Sequence, residues 1–422
     1  MKPIPGQRNA LITSRYEGPW TGLTTCRFST STVFPVADHT QALEAAWSYL
    51  HNTDASALVA SENRLDSDLR EQLAEDGFRF AETGPDNCWQ SEQGAEAQGA
   101  MSTSLSGAGS LWLLTSGTTG RPHRVEHTWD SLASAVSRQP PQRWLLPYAP
   151  GTYAWWQLVA LSLSCADQDL VTVEPAALDT WPVIARDTGV TSVSATPTFW
   201  RTALLRVGPD LSSLPLRQIT LGGEPVDQPV LDQLTRLFPE ARISWVYAAS
   251  ETGAVFAVHD GRAGFPVEWL QTGVDEPEQS RGPGGQVRLC LDDGELVVSA
   301  PGQARGLTGV IRTGDRAEIR EGRVHITGRI GHDEINVGGT KVRTSEVQKV
   351  LLDHPSVAWA RVFPRKAPVI GHVVAAEIVT SEEVSTTDII AWCRERLIAA
   401  AVPQMVRRLD QPPMTGALKS RA

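Results

Sequence analysis

Residues 111–122 read LWLLTSGTTGRP: four apolar residues break abruptly into Thr115, Ser116, Gly117, Thr118, Thr119 and Gly120. An apolar run of this length ending in a Gly/Ser/Thr cluster predicts a buried strand that opens into a loop. Glycines let backbone N–H groups wrap an anion, and hydroxyls add donors and a ligand for a hard cation. The GK[ST] ending of a Walker A loop is absent. On its own such a cluster is more often an ordinary polar turn.

The same grammar continues downstream. VTSVSATP (190–197), RQITLGGEP (217–225) and RISWVYAAS (242–250) are apolar runs that end in small or polar residues, with a helical period over 226–241 between the last two. Parallel strands alternating with covering helices are expected, with ligands gathering at the strands' carboxyl ends. Gly222-Gly223-Glu224-Pro225 and Tyr247-Ala248-Ala249-Ser250-Glu251 then stand beside the hydroxyl loop, offering an aromatic ring for a base and a carboxylate for a hard cation. Further on, Thr313-Gly314-Asp315 supplies a carboxylate suited to a ribose diol, and Gly328-Arg329 a guanidinium suited to phosphate. Taken singly, Asp315 reads as a turn residue and Glu251 as a solvated acid.

Either side of this block the pattern changes. Upstream, helical stretches at 40–52 (amphipathic) and 67–77 precede a small-residue connector at 95–110, and no chemistry is legible before Ser110. Downstream, 286–301 and 316–329 read as short strands with hairpin turns. After Arg329 a small α+β unit is expected, with helices over 344–355 and 387–400, strands over 357–364 and 372–380, and capping-box spacing from Ser345 to Gln348. The fold class is therefore α/β: a large domain of parallel or mixed sheets with covering helices (1–329), and a small α+β domain (330–422), which the resemblance described below would set on a hinge.

Composition narrows the function. The 422 residues hold 38 basic and 48 acidic side chains, a net charge of −10, which is no basic surface for a nucleic acid. Only five of the basic residues are lysines, and none falls between Lys2 and Lys341. Five scattered cysteines without metal-ligand spacing, and an opening segment without an apolar core, lead to the expectation of a reduced cytoplasmic protein. The uncharged stretch 144–166 is broken by Pro147, Pro150 and Gly151, so a strand, a turn and a core helix are expected rather than a membrane span.

TSGTTGRP (115–122), YAASETG (247–253), IRTGD (311–315), GRIGHDEINVGGTKV (328–342) and the tail PPMTGALKSRA (412–422) resemble, in order, the core motifs of the adenylate-forming superfamily. Its members are the acyl- and aryl-CoA synthetases, the adenylation domains of nonribosomal peptide assembly and the luciferases. The resemblance implies that Thr115–Gly120 grips the pyrophosphate end of ATP. By the same resemblance Gly223, Glu224 and Pro225 flank the adenine, and Tyr247 stacks on it. Ser250 contacts the α-phosphate, Glu251 ligates Mg²⁺, and Asp315 and Arg329 hold the ribose and phosphate. Lys419 would bridge the substrate carboxylate and α-phosphate, and Gly331 or His332 would be the pivot that exchanges it for the Gly338-Gly339 region during thiol transfer.

The sequence departs from the family pattern at four points. His123 replaces the phosphate loop's trailing lysine, one extra residue follows Gly328-Arg329, Leu418 replaces a glycine before Lys419, and the chain before Thr115 is shortened. The acid pocket is expected around Tyr153, Trp155, Gly222 and Ala248, although Tyr153, Trp155 and Trp156 read equally well as core aromatics on a helix. No acid lies between Arg143 and Asp167 to pair with an α-ammonium, so the substrate is expected to be an aryl, unsaturated or fatty acid without an α-amine. The expected activity is AMP-forming ligation of that acid to a thiol, either CoA or a carrier protein's phosphopantetheine, with ATP and Mg²⁺. GGTKV favours the thiol. The alternatives are an amide synthetase and a binding or scaffold protein that has lost catalysis.

Overall fold

The computed structural model describes residues 4–52, 55–84, 89–90, 109–115, 123–271, 286–331, 333–367 and 371–413. Two short antiparallel strands, β1 (Ala10–Ile12) and β2 (Glu17–Pro19), come first. A βαβαβ unit follows: β3 (Thr32–Val36), α1 (His39–Leu50), β4 (Ala57–Ser61), α2 (Ser67–Glu75) and β5 (Arg79–Phe80). With β6 (Leu111–Thr115) and β7 (His123–His127) it forms a five-stranded sheet in the order β5-β3-β4-β6-β7. The front of the chain is thus the support of the strand that ends at Thr115. Because β7 runs antiparallel to β6, with Thr115 opposite His123, residues 116–122 join two strands of a hairpin.

The helix expected over 40–52 forms as α1 but is not amphipathic: all twelve of its residues are buried, including His39, Gln41, Glu44 and Ser48. It packs against β3 and β4 on one side, while on another His39 accepts a hydrogen bond from Trp155 Nε1 at 3.2 Å, so no face is left for water. A polar helix period reads as a solvent face only when one side lacks a neighbour.

The middle of the chain alternates as expected. α3 (Trp129–Ala133), β8 (Gln142–Leu146), α4 (Tyr153–Ser164), β9 (Gln168–Thr172), α5 (Trp181–Asp187), β10 (Ser192–Ala195), α6 (Pro197–Arg206), β11 (Gln218–Gly222), α7 (Gln228–Leu237), β12 (Arg242–Ala249) and β13 (Gly253–Val258) build an eight-stranded sheet, β13-β12-β11-β10-β8-β9-β1-β2. It is parallel from β12 to β1, with an antiparallel strand at each edge. The uncharged stretch 144–166 is β8, a turn at Gly151 and the core helix α4; no described helix is long and apolar enough to cross a membrane.

β14 (Phe265–Pro266), β15 (Arg288–Asp292), β16 (Glu295–Ser299), β17 (Ile311–Arg320) and β18 (Arg323–Arg329) form an antiparallel third sheet. Its tight hairpins place Asp293-Gly294 and Glu321-Gly322 at positive φ, as two-residue turns of this kind require. Beyond it, β19 (Glu334–Val337), β20 (Thr340–Arg343), α8 (Thr344–Leu352), β21 (Val357–Ala367), β22 (Gly371–Thr380), α9 (Thr386–Arg394) and β23 (Met405–Arg408) gather a hydrophobic core of their own, in which Val347, Leu351, Ile389 and Cys393 meet Val374, Ala376 and Ile378. Polar links tie this unit to the rest: Arg201 Nη1 donates to the Ala358 carbonyl at 3.1 Å, Arg343 pairs with Glu318 at 2.8 Å, and Arg316 lies 3.9 Å from Glu334.

One local expectation is corrected here. Ser345 and Gln348 form no capping box; Asp333 caps α8 instead, accepting from the Ser345 N–H at 2.7 Å, from the Ser345 hydroxyl at 2.5 Å and from the Thr344 hydroxyl at 2.5 Å, while Gln348 donates to the Ala360 carbonyl at 2.9 Å. A carboxylate at a helix N-terminus satisfies the same orphan N–H groups and adds its charge to the dipole.

Candidate nucleotide and acid site

β17 and β18 pair in a register that sets Asp315 directly opposite Arg329, and Arg329 Nε meets Asp315 Oδ1 at 2.9 Å. Tyr247, near the end of β12, donates its hydroxyl to the other oxygen, Oδ2, at 2.6 Å. Burial and the neighbouring carboxylate both raise the Tyr247 phenol well above its usual range. Its ring lies parallel to Phe256, 5.3 Å away. Thr313, Gly314 and Asp315 lie within β17 where its pairing with β16 shifts register, Gly314 at φ +72°, and β16 holds them there: the Thr313 hydroxyl donates to the Leu296 carbonyl at 2.6 Å, the Gly314 N–H to Glu295 at 2.8 Å and the Asp315 N–H to the Thr313 hydroxyl at 3.1 Å.

On the neighbouring strand, Gly222 at the end of β11 sits opposite Val246 of β12, where a Cβ would stand 3.3 Å from the Val246 carbonyl oxygen. Gly223 turns the chain outward at φ +81°. Glu224 is half-buried, and its Oε2 accepts the Thr198 N–H at 3.0 Å in the first turn of α6. That bond pins the glycine turn to a helix N-terminus, where a carboxylate is favoured. Pro225 is exposed beyond it. A second polar group lies near: the buried Tyr148 hydroxyl is 3.4 Å from Ser194 Oγ, and burial raises its phenol, with Glu224 adding to the effect.

Ser250 and Glu251 form the turn between β12 and β13, with Ser250 half-buried and Glu251 exposed. Several backbone contacts clamp this turn. Ala304 N–H donates to the Glu251 carbonyl at 2.9 Å, and Gly253, at φ +73°, lies so near Gly302 that a Cβ would stand 2.3 Å from its oxygen. His127, fully buried at the end of β7, reaches the Ser250 carbonyl at 2.7 Å with Nε2 and Ser131 Oγ at 2.8 Å with Nδ1; burial lowers its pKa.

The structure therefore brings Gly222, Gly223, Glu224, Tyr247, Ala248, Ser250, Glu251, Asp315 and Arg329 to one end of two adjoining sheets, and links Thr115 to them through the β6–β7 hairpin. Ser116, Gly117, Thr118, Thr119, Gly120, His332 and Lys419 lie outside the described residues. Gly331 (φ +82°) is exposed next to Arg329; Gly338 and Gly339 form the exposed tip of the β19–β20 hairpin, both at positive φ. Trp155 is fully buried against Trp156 and His39, within the core rather than at the sheet's open end. Tyr153 stands behind the Ser250 turn, its ring 5.8 Å from that of His127. Arg64 and His127 carry no pattern in the sequence, yet Arg64 Nη2 holds the Leu114 carbonyl at 2.7 Å just before Thr115, and His127 holds Ser250.

Ring, carboxylate, guanidinium and glycine turn thus lie together at the open ends of these sheets. The AMP-binding enzyme family matches residues 30–308 and its C-terminal domain family residues 346–419, and the chain belongs to that family. Among curated relatives, 2-succinylbenzoate–CoA ligase of Bacillus velezensis is 27% identical over 422 residues, spanning 91% of this chain and 83% of the relative. The enzyme of that name from Bacillus cereus strain Q1 is 27% identical over 252 residues, 55% of this chain and 50% of the relative, so this match spans half of the relative's length. Among solved structures, an Escherichia coli MenE variant with bound OSB-AMS superposes with a TM-score of 0.72 at 21% identity, covering 98% of this chain and 94% of that one. The amide bond synthetase McbA from Marinactinospora thermotolerans gives 0.68 at 18%, covering 99% and 96%.

Proposed function

We propose that this chain is an AMP-forming acid–thiol ligase acting on an aryl carboxylic acid without an α-amine, with CoA as the acceptor. In the first half-reaction a substrate carboxylate oxygen attacks the α-phosphorus of ATP; the P–O bond to pyrophosphate breaks, and an acyl–AMP anhydride forms. In the second, the acceptor thiol, losing its proton, attacks the acyl carbon and AMP leaves. The carboxylate is already a competent nucleophile, so the protein's work is alignment and charge cancellation rather than base catalysis. The observation that carries this reading is the Tyr247–Asp315–Arg329 unit beside the Gly222–Glu224 turn: a ring and a carboxylate set for a nucleoside, with a cation beside them.

The aryl preference rests on the 2-succinylbenzoate–CoA ligase relatives and on the absence of any acidic side chain between Arg143 and Asp167. Glu251, an exposed carboxylate in a clamped turn, fits a Mg²⁺ ion that keeps its waters and takes most other ligands from phosphate oxygens. When bound, that ion would neutralise charge on the phosphates. Thr115 to Gly120, Ser250 and Lys419 fill the remaining phosphate-contacting roles in this reading, and Gly331 or His332 is the pivot by which residues 330–422 turn.

Pyrophosphate release across 2-succinylbenzoate, other aryl acids, polyenoic acids and fatty acids, repeated with CoA, a holo-carrier protein and amines, tests the proposal. Turnover is expected with an aryl acid and CoA. Turnover confined to amines would overturn the thiol acceptor, and no turnover together with no ATP binding by calorimetry would overturn the enzymatic reading.

A further inference from the structure

The Ser250–Glu251 turn needs a fixed orientation for its side chains to serve a phosphate and a cation, and turns between edge strands are ordinarily among the looser parts of a fold. Here one side chain from another sheet reaches beneath it. His127 is 0% exposed and ends β7, the strand that leaves residues 116–122. Its two ring nitrogens are both engaged: Nε2 with the Ser250 carbonyl oxygen at 2.7 Å and Nδ1 with Ser131 Oγ at 2.8 Å. A carbonyl only accepts, so Nε2 carries the proton and donates it. Nδ1 is then the acceptor and has no proton to give, so the Ser131 hydroxyl, which also lies 3.0 Å from the Thr128 carbonyl, is the donor in the 2.8 Å contact. Ser131 is itself fixed by the reciprocal cap with Thr128 at the start of α3.

We infer that His127 is a positioning residue for the adenylation half-reaction, locking the Ser250–Glu251 peptide in register with the strand that carries the phosphate loop. The chain of bonds runs Thr128–Ser131–His127–Ser250, and its outcome is that the hairpin β6–β7 and the hairpin β12–β13 cannot shift relative to each other without breaking a buried hydrogen bond. The backbone says the same from the other flank, where Arg305 N–H donates to the Glu126 carbonyl at 2.7 Å and Ala304 N–H to the Glu251 carbonyl at 2.9 Å. Thus the residue before His127 and the residue after Ser250 are bridged by a single loop, and His127 closes the remaining side. This role rests on the ligase reading above.

The test separates the half-reactions. His127→Phe keeps a ring but has no donor; His127→Gln places an amide N–H near the Nε2 position; His127→Asn reproduces only the Nδ1 side. Acid-dependent ATP–pyrophosphate exchange should fall roughly 100-fold in the Phe and Asn variants, as a small displacement of reacting groups can cost, and recover to within about fivefold in Gln. Thioester formation from supplied acyl-adenylate and CoA should fall by less than about tenfold in all three, because the acyl-adenylate keeps the α-phosphate that Ser250 contacts but has no pyrophosphate or Mg²⁺ for Glu251 to serve. Equal activity of the Asn and Gln variants, or equal loss in both half-reactions, would overturn the inference. Should the Phe variant fail to fold, the Asn and Gln pair carries the comparison alone. A wild-type chain inactive with every acid would instead overturn the ligase reading, and this role with it.

Discussion

Asp315 has both oxygens engaged, by a phenol on one side and a guanidinium on the other, and only 13% of its side chain is exposed. A ribose diol arriving there exchanges hydrogen bonds with groups already present instead of meeting a bare carboxylate. Two contacts to a charged acceptor are lost in Asp315→Ala, so nucleotide affinity should drop about 100-fold or more, each such bond being worth about 1.5–3 kcal/mol. Tyr247→Phe keeps the ring against Phe256 and removes one tether, and the loss should be below about tenfold. Calorimetric titration with ATP checks both; equal losses would show that the tether, and not the carboxylate, sets affinity. Lys419→Ala should abolish most adenylation yet leave thiol transfer from a supplied acyl-adenylate within a fewfold of wild type, and equal loss in both steps would remove its proposed role.

Turns and caps are where local sequence and distant structure part company. Gly253 and Gly261 both sit near φ +70°, but a Cβ on Gly253 would strike the Gly302 backbone at 2.3 Å while one on Gly261 meets nothing within 4 Å. Gly261→Ala should cost only the conformational term, about 1 kcal/mol, and Gly253→Ala about 2–4 kcal/mol, because backbone has to move. Denaturant unfolding of the two variants measures the difference. The period of β10, β11 and β12 is legible because helices alternate with them, that of the third sheet because its short strands alternate with turn residues, and the glycine turns follow from the positive φ they need. What is not legible depends on partners far away in the chain. α1 looks amphipathic until α4 and two strands enclose it, and α8 takes its cap from Asp333 across β19 and β20 instead of from Ser345. His127, an isolated histidine in a strand, has nothing to mark it until Ser250 arrives 123 residues later.

At the scale of the molecule, burial of polar groups on α1 sets how stability answers to pH. Burial lowers His39 to about 4 from the usual 6.5, and burial raises Glu44 to about 7 from 4.5, with Asp38 acting on both, Arg15 opposing the shift of Glu44, and Glu174 raised beside them. The neutral His39 ring stabilises fully above about pH 6.5 and less as pH falls toward 4. Glu44 runs the other way: its contribution is whole below about 4.5 and is lost as pH climbs through 7. Glu44→Gln should therefore raise stability at pH 8 by about 2 kcal/mol and leave it unchanged at pH 4. Urea midpoints at the two pH values decide, and an equal shift at both would mean packing rather than ionisation. Strand β1 raises a different matter, that of time. It lies parallel to β9 with Leu11 beside Leu170, and Asn9 Nδ2 donates to the Ser162 carbonyl at 2.6 Å and the Cys165 carbonyl at 2.7 Å. At roughly 5–20 residues per second, a ribosome needs on the order of ten seconds or more to make the partner after β1 has emerged. Made before the rest of its sheet, β1 waits with one edge open until β9 emerges.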